Sequence, residues 1–177
     1  LVPLTGEELA RCVEEVRALQ VDAVAVCLLF SFLNPDHERA LGEALRAALP
    51  DVPVTLSSDL TPEFREYERT ATTVMNAYTA PKIGLLARRL ADVLQAEGFK
   101  GAFGIIQSNG GLMSLERARS NAVRTLLSGP AGGVVGAAAV AGYSGVKNIL
   151  GFDVGGTSTS DQYSAEAYGT VGYHFSL

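Results

Sequence analysis

The segment Asp153-Val-Gly-Gly-Thr-Ser-Thr159 has the residue types of a phosphate-binding loop. Gly155 and Gly156 would let backbone N–H groups turn towards an anion, and the hydroxyls of the next three residues, Thr157, Ser158 and Thr159, would donate further hydrogen bonds. Asp153 ends a predicted buried strand, where it would hold Mg²⁺ through water or orient an attacking water. A tight hairpin with Asp and Thr as turn formers explains the same residues equally well, because the motif is short.

A second glycine-rich stretch, Ser128-Gly-Pro-Ala-Gly-Gly133, precedes a predicted helix of small residues. Free N–H groups and the dipole at a helix start attract anions, so Ser128, Gly129, Gly132 and Gly133 are predicted to bind the phosphates of a cofactor. Close packing on a sheet is the competing interpretation, and we favour it for Gly136. The stretch matches neither a Walker A loop nor a Gly-x-Gly-x-x-Gly dinucleotide motif.

A third polar segment contains Asn109, Gly110 and Gly111 and follows another predicted strand. At the carboxyl edge of a parallel sheet these residues would line a ligand crevice. A plain turn is the simpler interpretation.

Arg65 and Arg69 lie four residues apart, on one face of a predicted helix. A solvated, salt-bridged helix surface usually explains such a pair. The two histidines, His37 and His174, do not indicate a catalytic site, because neither has a partner cluster in the sequence and no nucleophilic triad can be assembled.

The elements that must position these residues alternate between helix and strand. In chain order the sequence predicts a helix behind a Thr5–Glu8 capping box, a strand at 23–30, a helix at 36–49 opened by Asn34-Pro35, a strand at 52–56, a helical region at 62–98 that Pro81 kinks or splits, a strand at 102–107, a short helix at 114–119 capped by Ser114, a strand at 124–127, a helix at 134–141 and a strand at 148–153. This order predicts an α/β fold, with a largely parallel or mixed sheet and helices on both faces.

Composition excludes several classes of protein. Hydrophobic residues make up 47% of the 177, which is typical of a globular chain. The net charge of −5 and the absence of a basic run argue against a nucleic-acid partner. The apolar stretch Val21–Leu33 is too short to cross a bilayer, so we expect no membrane partner and a cytoplasmic location. Cys12 and Cys27 are too few for a disulfide framework and are expected to be buried free thiols.

Taken together, six segments resemble the hydantoinase A/5-oxoprolinase family, which includes ATP-dependent N-methylhydantoinases, 5-oxoprolinases and the β subunit of acetone carboxylase. They are Leu28-Leu-Phe-Ser-Phe-Leu-Asn-Pro-Asp-His-Glu38, Pro62-Glu-Phe-Arg-Glu-Tyr-Glu-Arg69, Thr72-Thr-Val-Met-Asn-Ala-Tyr78, Gln107-Ser-Asn-Gly-Gly111, Arg124-Thr-Leu-Leu-Ser-Gly-Pro-Ala-Gly-Gly133 and Asp153-Val-Gly-Gly-Thr-Ser-Thr159. The resemblance covers 24–159, and six segments in the same order make it far more specific than one motif alone.

The resemblance implies an actin/hexokinase-like (ribonuclease H-like) ATPase fold, in which a nucleotide lies between two lobes. Residues 1–122 would end the N-terminal region, and 123–177 would begin the second nucleotide-binding lobe with Asp153–Thr157 as its phosphate loop. Family members use ATP and Mg²⁺ to phosphorylate a carbonyl oxygen, which activates a small cyclic amide such as hydantoin or 5-oxoproline for hydrolysis. The resemblance also implies a homo-oligomer or a complex with a second hydantoinase-type subunit, and it gives Arg65 and Arg69 weight as substrate- or interface-facing residues.

Two departures from the family pattern shape this expectation. The family's first phosphate loop is absent, so we expect a central fragment of an ATP-dependent hydrolase that is inactive in isolation. Ser160 stands where the family usually has Asp, and Asp161 follows it. The alternatives are a non-catalytic lobe for nucleotide binding or subunit assembly, and a subunit of an ATP-dependent ketone carboxylase.

Overall fold

The computed structural model describes residues 4–154, 158–165 and 169–176 of the 177-residue chain, with side chains described for residues 4–151. The chain divides into two compact units. The first contains Leu1–Phe99 and Arg119–Val123, and the second contains Lys100–Ala118 and Arg124–Leu177. Within the described residues, no helix is both long and apolar enough to cross a membrane.

The first unit is built on a short parallel strand pair. Its elements are α1 (Gly6–Ala18), β1 (Val24–Val26), α2 (Asp36–Ala48), β2 (Val54–Leu56), α3 (Ser57–Leu60) and α4 (Glu66–Ala96). Strands β1 and β2 run parallel, with Val24 opposite Val54, and α2 is the crossover between them. Val13, Val26, Leu45 and Leu56 form the buried core.

Local sequence signals fix where the first two helices begin. The Thr5 hydroxyl accepts from the Glu8 N–H (3.2 Å) and the Glu8 carboxylate accepts from the Thr5 N–H (2.8 Å), which confirms the predicted capping box. Before α2, the Asn34 side chain accepts from the Asp36 N–H at 2.9 Å, and Pro35 occupies the cap position. Both helix starts therefore follow from residues visible in the sequence.

The remaining elements are a hairpin, two short helical turns, one longer helix and an antiparallel sheet. They are β3 (Ile105–Ile106), β4 (Leu112–Met113), α5 (Leu115–Ser120), a 3₁₀ turn (Ala122–Thr125), α6 (Ser128–Tyr143), β5 (Ile149–Val154), β6 (Ser158–Ala165) and β7 (Gly169–Ser176). Strand β3 pairs antiparallel with β4, and β5, β6 and β7 form an antiparallel sheet in that order. The predicted Ser114 cap is confirmed by the Arg117 N–H, which donates to the Ser114 hydroxyl.

The mixed α/β character is confirmed. The prediction of a largely parallel sheet is wrong for the described residues, where β1 and β2 form the one parallel pair. The strand predicted at 124–127 is also wrong, because 122–125 form a 3₁₀ turn and α6 already begins at Ser128. Pro81 does not split α4, which continues through 31 residues with buried side chains on both sides of the proline, including Ala77 and Ala87. Burial of these side chains compensates for the backbone hydrogen bond that a proline removes.

Candidate functional site

In the second unit, the start of α6 is open and uncapped. Leu127 precedes it in the left-handed conformation (φ 55°, ψ 22°), and no side chain caps the helix. A Cβ added to Gly129 would meet no atom within 4 Å, whereas one added to Gly132 would lie 2.9 Å from a methyl of Ile106. Gly132 therefore allows close packing, while Gly129 leaves free space at the positive end of the helix dipole.

Two other small residues of α6 complete this comparison. Gly133 is exposed. The close packing expected at Gly136 is wrong, since a Cβ there would also meet nothing within 4 Å.

The segment Gln107–Gly111 forms the turn of the β3–β4 hairpin, so the expected edge of a parallel sheet is wrong here. The Gly110 N–H donates to the Gln107 carbonyl and the Gly111 N–H donates to the Asn109 side chain, both at 2.9 Å. Gly110 has a φ of 82°, and a Cβ there would lie 2.8 Å from a methyl of Val135 on α6. Asn109, Gly110 and Gly111 are therefore held beside α6.

Strand β5 also packs against α6. Asp153 lies in β5 opposite Ser160 of β6, and Asp161 lies opposite Phe152, so Asp161 is one register position from Asp153. The next predicted ligands, Gly155, Gly156 and Thr157, lie outside the described residues, as do the side chains of Asp153, Ser158 and Thr159. Among the side chains that are described, no three His, Cys, Asp or Glu residues gather as metal ligands.

Arg65 and Arg69 have different surroundings. Arg65 precedes α4 with a φ of 80°, lies over the Phe64 ring and forms an exposed ion pair with Glu68 at 3.7 Å. Arg69 is only 2% exposed. The prediction that both arginines lie on one solvated helix face is therefore wrong, because Arg65 is exposed but precedes the helix and Arg69 is on the helix but buried.

The sequence analysis missed a buried carboxylate, Glu38, in the first unit. Glu38 is 0% exposed. Its carboxylate accepts hydrogen bonds from the Leu28 N–H (2.7 Å), the Ser57 hydroxyl (2.7 Å) and the Ser58 N–H (2.8 Å). Burial alone would raise the pKa of Glu38, but these hydrogen bonds hold the pKa below its ordinary value, so the group is an anion at neutral pH.

Arg69 provides the complementary buried cation. One terminal nitrogen donates to the Leu28 carbonyl (2.7 Å) and the other to the Glu63 carbonyl (3.3 Å), while the guanidinium lies 5.4 Å from the centre of the Phe32 ring. The backbone of Leu28 is therefore held at two points, its N–H by Glu38 and its carbonyl by Arg69.

This buried cluster lies where the two parallel strands end. Cys27 and Leu28 follow β1, and Ser57 and Ser58 follow β2. In open α/β sheets the carboxyl ends of strands are the usual place for a binding site. The sequence analysis missed Glu38 because an acidic residue in the first turn of a helix usually lies at the surface, where its charge interacts favourably with the helix dipole. The available signal was its position shortly after a buried strand.

Comparison with known families identifies the chain. The model described as "Hydantoinase/oxoprolinase" matches residues 69–163, and the model described as "Hydantoinase/oxoprolinase N-terminal region" matches residues 1–49. The chain belongs to the hydantoinase/oxoprolinase family. Five of the six segments that carried the resemblance lie within these two matches, whereas the sixth, Pro62–Arg69, lies between them apart from Arg69.

Relatives within the hydantoinase/oxoprolinase family include characterised enzymes. The chain is 38% identical over 156 residues to the caprolactamase subunit alpha of Pseudomonas jessenii, and the match covers 88% of this chain and 22% of that subunit. It is 35% identical over 142 residues to the 5-oxoprolinase of Saccharomyces cerevisiae, where the match covers 78% of this chain and 11% of the relative. The chain thus spans less than a quarter of the length of either relative.

Solved structures show the same fold. The ATP-dependent caprolactamase from Pseudomonas jessenii superposes with a TM-score of 0.77 at 36% identity, over 92% of this chain and 24% of that one. A nucleotide-free acetone carboxylase superposes with a TM-score of 0.85 at 24% identity, over 100% of this chain and 28% of that one. The second likeness concerns the fold alone.

Proposed function

We propose that the full-length protein is an ATP-dependent hydrolase of small cyclic amides, such as hydantoin or 5-oxoproline, and that it acts by phosphorylating the amide carbonyl oxygen. The observation that carries this proposal is the 38% identity to a caprolactamase subunit over 88% of the chain. Caprolactam and 5-oxoproline are both cyclic amides, so the two named relatives share one chemical class of substrate.

The second unit supports a phosphate-binding role. The open start of α6, the free space beside Gly129 and the neighbouring Asn109–Gly111 turn would fit an anion that needs backbone N–H donors. Bound ATP would supply the phosphoryl group that activates the carbonyl. Ser128, Gly129, Gly132 and Gly133 would contribute to holding its phosphates, and Gly155, Gly156, Thr157, Ser158 and Thr159 would complete the loop.

Asp153 would act beside that loop, either by holding Mg²⁺ through water or by orienting an attacking water. A Mg²⁺ ion that keeps most of its own waters needs few protein ligands, so one carboxylate would suffice. Arg65 is exposed and would contact substrate or a partner. Because Arg69 is buried, it would act through the Leu28 segment that it holds.

We also propose the broader setting of this activity. The actin/hexokinase-like fold would place the nucleotide between two lobes, with residues 1–122 ending the N-terminal region and 123–177 opening the second lobe. The protein would work in the cytoplasm, as a homo-oligomer or with a second hydantoinase-type subunit. The name of the caprolactamase relative, a subunit alpha, supports such an assembly.

The second candidate function is ATP-dependent ketone carboxylation. Its support is a 30% identity over 162 residues to the acetone carboxylase beta subunit of Xanthobacter autotrophicus, covering 89% of this chain and 22% of that subunit. Both candidates would use the same nucleotide site and differ in the molecule that accepts the phosphoryl group.

The test is phosphate release from Mg²⁺-ATP by the purified full-length protein with its copurifying partners. The expected result is release stimulated by hydantoin, 5-oxoproline or caprolactam, with the ring-opened product identified by mass spectrometry. Stimulation only by a ketone with bicarbonate would favour the carboxylase. If calorimetry detects no saturable binding of Mg²⁺-ATP, the result would favour a non-catalytic lobe for subunit assembly.

Asp153→Ala tests the assigned residue, and we expect a loss of more than tenfold in stimulated phosphate release. Asp92→Ala is the matched control, because Asp92 is an exposed carboxylate on α4 and should leave the rate unchanged. A loss of less than tenfold for Asp153→Ala would remove Asp153 from the mechanism.

A further inference from the structure

Asn76 is a buried amide side chain on α4 to which the proposed hydrolase gives no role. It lies in the segment Thr72–Tyr78 and is 1% exposed. Its nitrogen donates to the Thr55 hydroxyl of β2 and to the Ser120 carbonyl, both at 3.0 Å, and its oxygen accepts from the Val123 N–H at 2.9 Å. Both amide hydrogens and the amide oxygen are used, so the side chain has one defined orientation.

The segment that Asn76 holds carries the chain from the first unit into the second. Arg119–Val123 belong to the first unit and Arg124 belongs to the second. Ser120 is the last residue of α5, and Val123 lies in the 3₁₀ turn that follows. Because one side-chain amide binds a carbonyl and an N–H three residues apart, it fixes the backbone conformation between them.

The same 3₁₀ turn leads into α6. Only two residues separate the end of the turn from Ser128, the first residue of that helix. On the far side of the turn, the Arg124 carbonyl accepts from the Ser108 N–H at 2.8 Å and from the Ser108 hydroxyl at 3.1 Å. No side chain caps α6, so the preceding backbone, held at Val123 and Arg124, sets where the first N–H groups of the helix begin.

We propose that Asn76 is a positioning residue for the phosphates of the nucleotide, a role that rests on the proposed phosphate site at the start of α6. Asn76 is buried and does not touch the nucleotide. It acts through Ser120 and Val123, whose backbone leads into the turn and the helix. Once these two residues are released, only a fraction of the molecules presents the first N–H groups of α6 correctly. The apparent affinity for the nucleotide falls by that fraction.

The first experiment is calorimetry with Mg²⁺-ATP on the full-length parent, on Asn76→Ala and on Thr55→Val. Asn76→Ala releases Ser120 and Val123, and its Kd should rise about five- to tenfold, which is the effect of one net hydrogen bond on an equilibrium. Thr55→Val is the matched control, because it removes a buried hydrogen bond from the same amide and keeps both backbone contacts. Its Kd should equal that of the parent.

The outcomes of calorimetry distinguish two failures. A parent protein without saturable binding of Mg²⁺-ATP would remove the proposed function, and the phosphate role of Asn76 with it. Binding by the parent with an equal Kd in Asn76→Ala would overturn the role of Asn76 alone. An equal rise in Kd for Asn76→Ala and Thr55→Val would also overturn that role, because a general loss of stability affects both variants alike.

Steady-state kinetics separates positioning from lost stability. In stimulated phosphate release, partial unfolding reduces the concentration of active enzyme, so it lowers kcat and leaves the KM for ATP unchanged. A misplaced phosphate site instead raises this KM, whereas saturating ATP selects the correct arrangement and restores kcat. We expect Asn76→Ala to raise the KM for ATP about five- to tenfold at nearly constant kcat. A lower kcat at unchanged KM would refute the positioning role.

A measurement on the parent protein needs no variant, so it applies even if Asn76→Ala does not fold. Linkage is reciprocal: if the contact at Val123 favours nucleotide binding, bound nucleotide favours that contact by the same factor. Saturating Mg²⁺-ATP should therefore slow hydrogen exchange of the Val123 amide about five- to tenfold. The Val52 amide, which donates to the Leu49 carbonyl in the first unit, is the control and should not change. Unchanged exchange at Val123 with nucleotide bound would overturn the proposal.

Discussion

Glu38→Gln removes one buried charge while keeping the size of the side chain. The amide oxygen of Gln can still accept from Leu28 and Ser57, but as a neutral group it forms weaker bonds. The amide nitrogen then faces the Ser58 N–H, so two donors meet and the backbone N–H loses its acceptor. An unsatisfied buried donor costs about 1–3 kcal/mol, and the weaker remaining bonds bring the expected loss in free energy of unfolding to about 2–4 kcal/mol.

The same variant has a defined pH dependence. The folded-state pKa of Glu38 lies below that of an unfolded Glu, which is about 4.3. The carboxylate therefore stabilises the fold above pH ~4.3, and this contribution is lost as pH falls through the lower folded pKa. The stability gap between parent and Glu38→Gln should be full at pH 7 and should narrow towards pH 3.

Urea unfolding of the parent and the variant at pH 7, 5, 4 and 3 measures this gap. Glu43→Gln on the same helix is the matched control, because Glu43 is exposed and its variant should differ from the parent by less than about 0.5 kcal/mol. A Glu38→Gln variant within 0.5 kcal/mol of the parent at pH 7, or a gap that is the same at pH 7 and pH 3, would refute the buried-anion interpretation.

Three further substitutions test other parts of the structure. The Asn76 side chain is 1% exposed and forms three hydrogen bonds, one of them accepted from the Val123 N–H. Asn76→Ala should therefore lower the free energy of unfolding by about 2–3 kcal/mol and speed hydrogen exchange at the Val123 amide. An unchanged exchange rate would contradict this contact. Gly110→Ala should cost about 1–2 kcal/mol in thermal unfolding because its φ is positive, whereas Gly136→Ala, in open space on α6, should gain about 0.5–1 kcal/mol. The prediction would be contradicted if Gly110→Ala were not the less stable of the two variants. Thr5→Ala should lower the free energy of unfolding by about 1 kcal/mol through loss of the capping box, and no change would show that the N-terminal turn of α1 is already frayed.

Where a feature depends on neighbouring residues, the sequence predicted it well. The capping box at Thr5 and the Ser114 cap are confirmed, because a cap needs only a side chain and an N–H within one helical turn. The strand ending at Val154 is confirmed within one residue of its predicted span. The parallel pairing of β1 and β2 is also as expected, since a helix between two strands favours a parallel crossover.

Features that depend on distant contacts were missed. The short apolar run before Ser128 fits a strand as well as a 3₁₀ turn, and local sequence cannot separate the two. Glu38 and Arg69 are of charged types that are typical of a surface, yet both bind the backbone of Leu28, which lies 10 residues from Glu38 and 41 residues from Arg69 along the chain. Only the fold brings those partners together, so the main buried cluster of the first unit lay beyond pattern reasoning.

The backbone of Leu28, held by Glu38 and Arg69, also links the two charges through two successive peptide groups. The peptide group before Leu28 donates its N–H to the anion, and the peptide group after Leu28 offers its carbonyl to the cation, so each peptide dipole is oriented favourably towards the charge that it meets. Each charge is then partly neutralised by a group that carries no net charge. A double-mutant cycle between Glu38 and Arg69 should therefore give a coupling energy of the size usually found for residues in contact, although the backbone of Leu28 separates them.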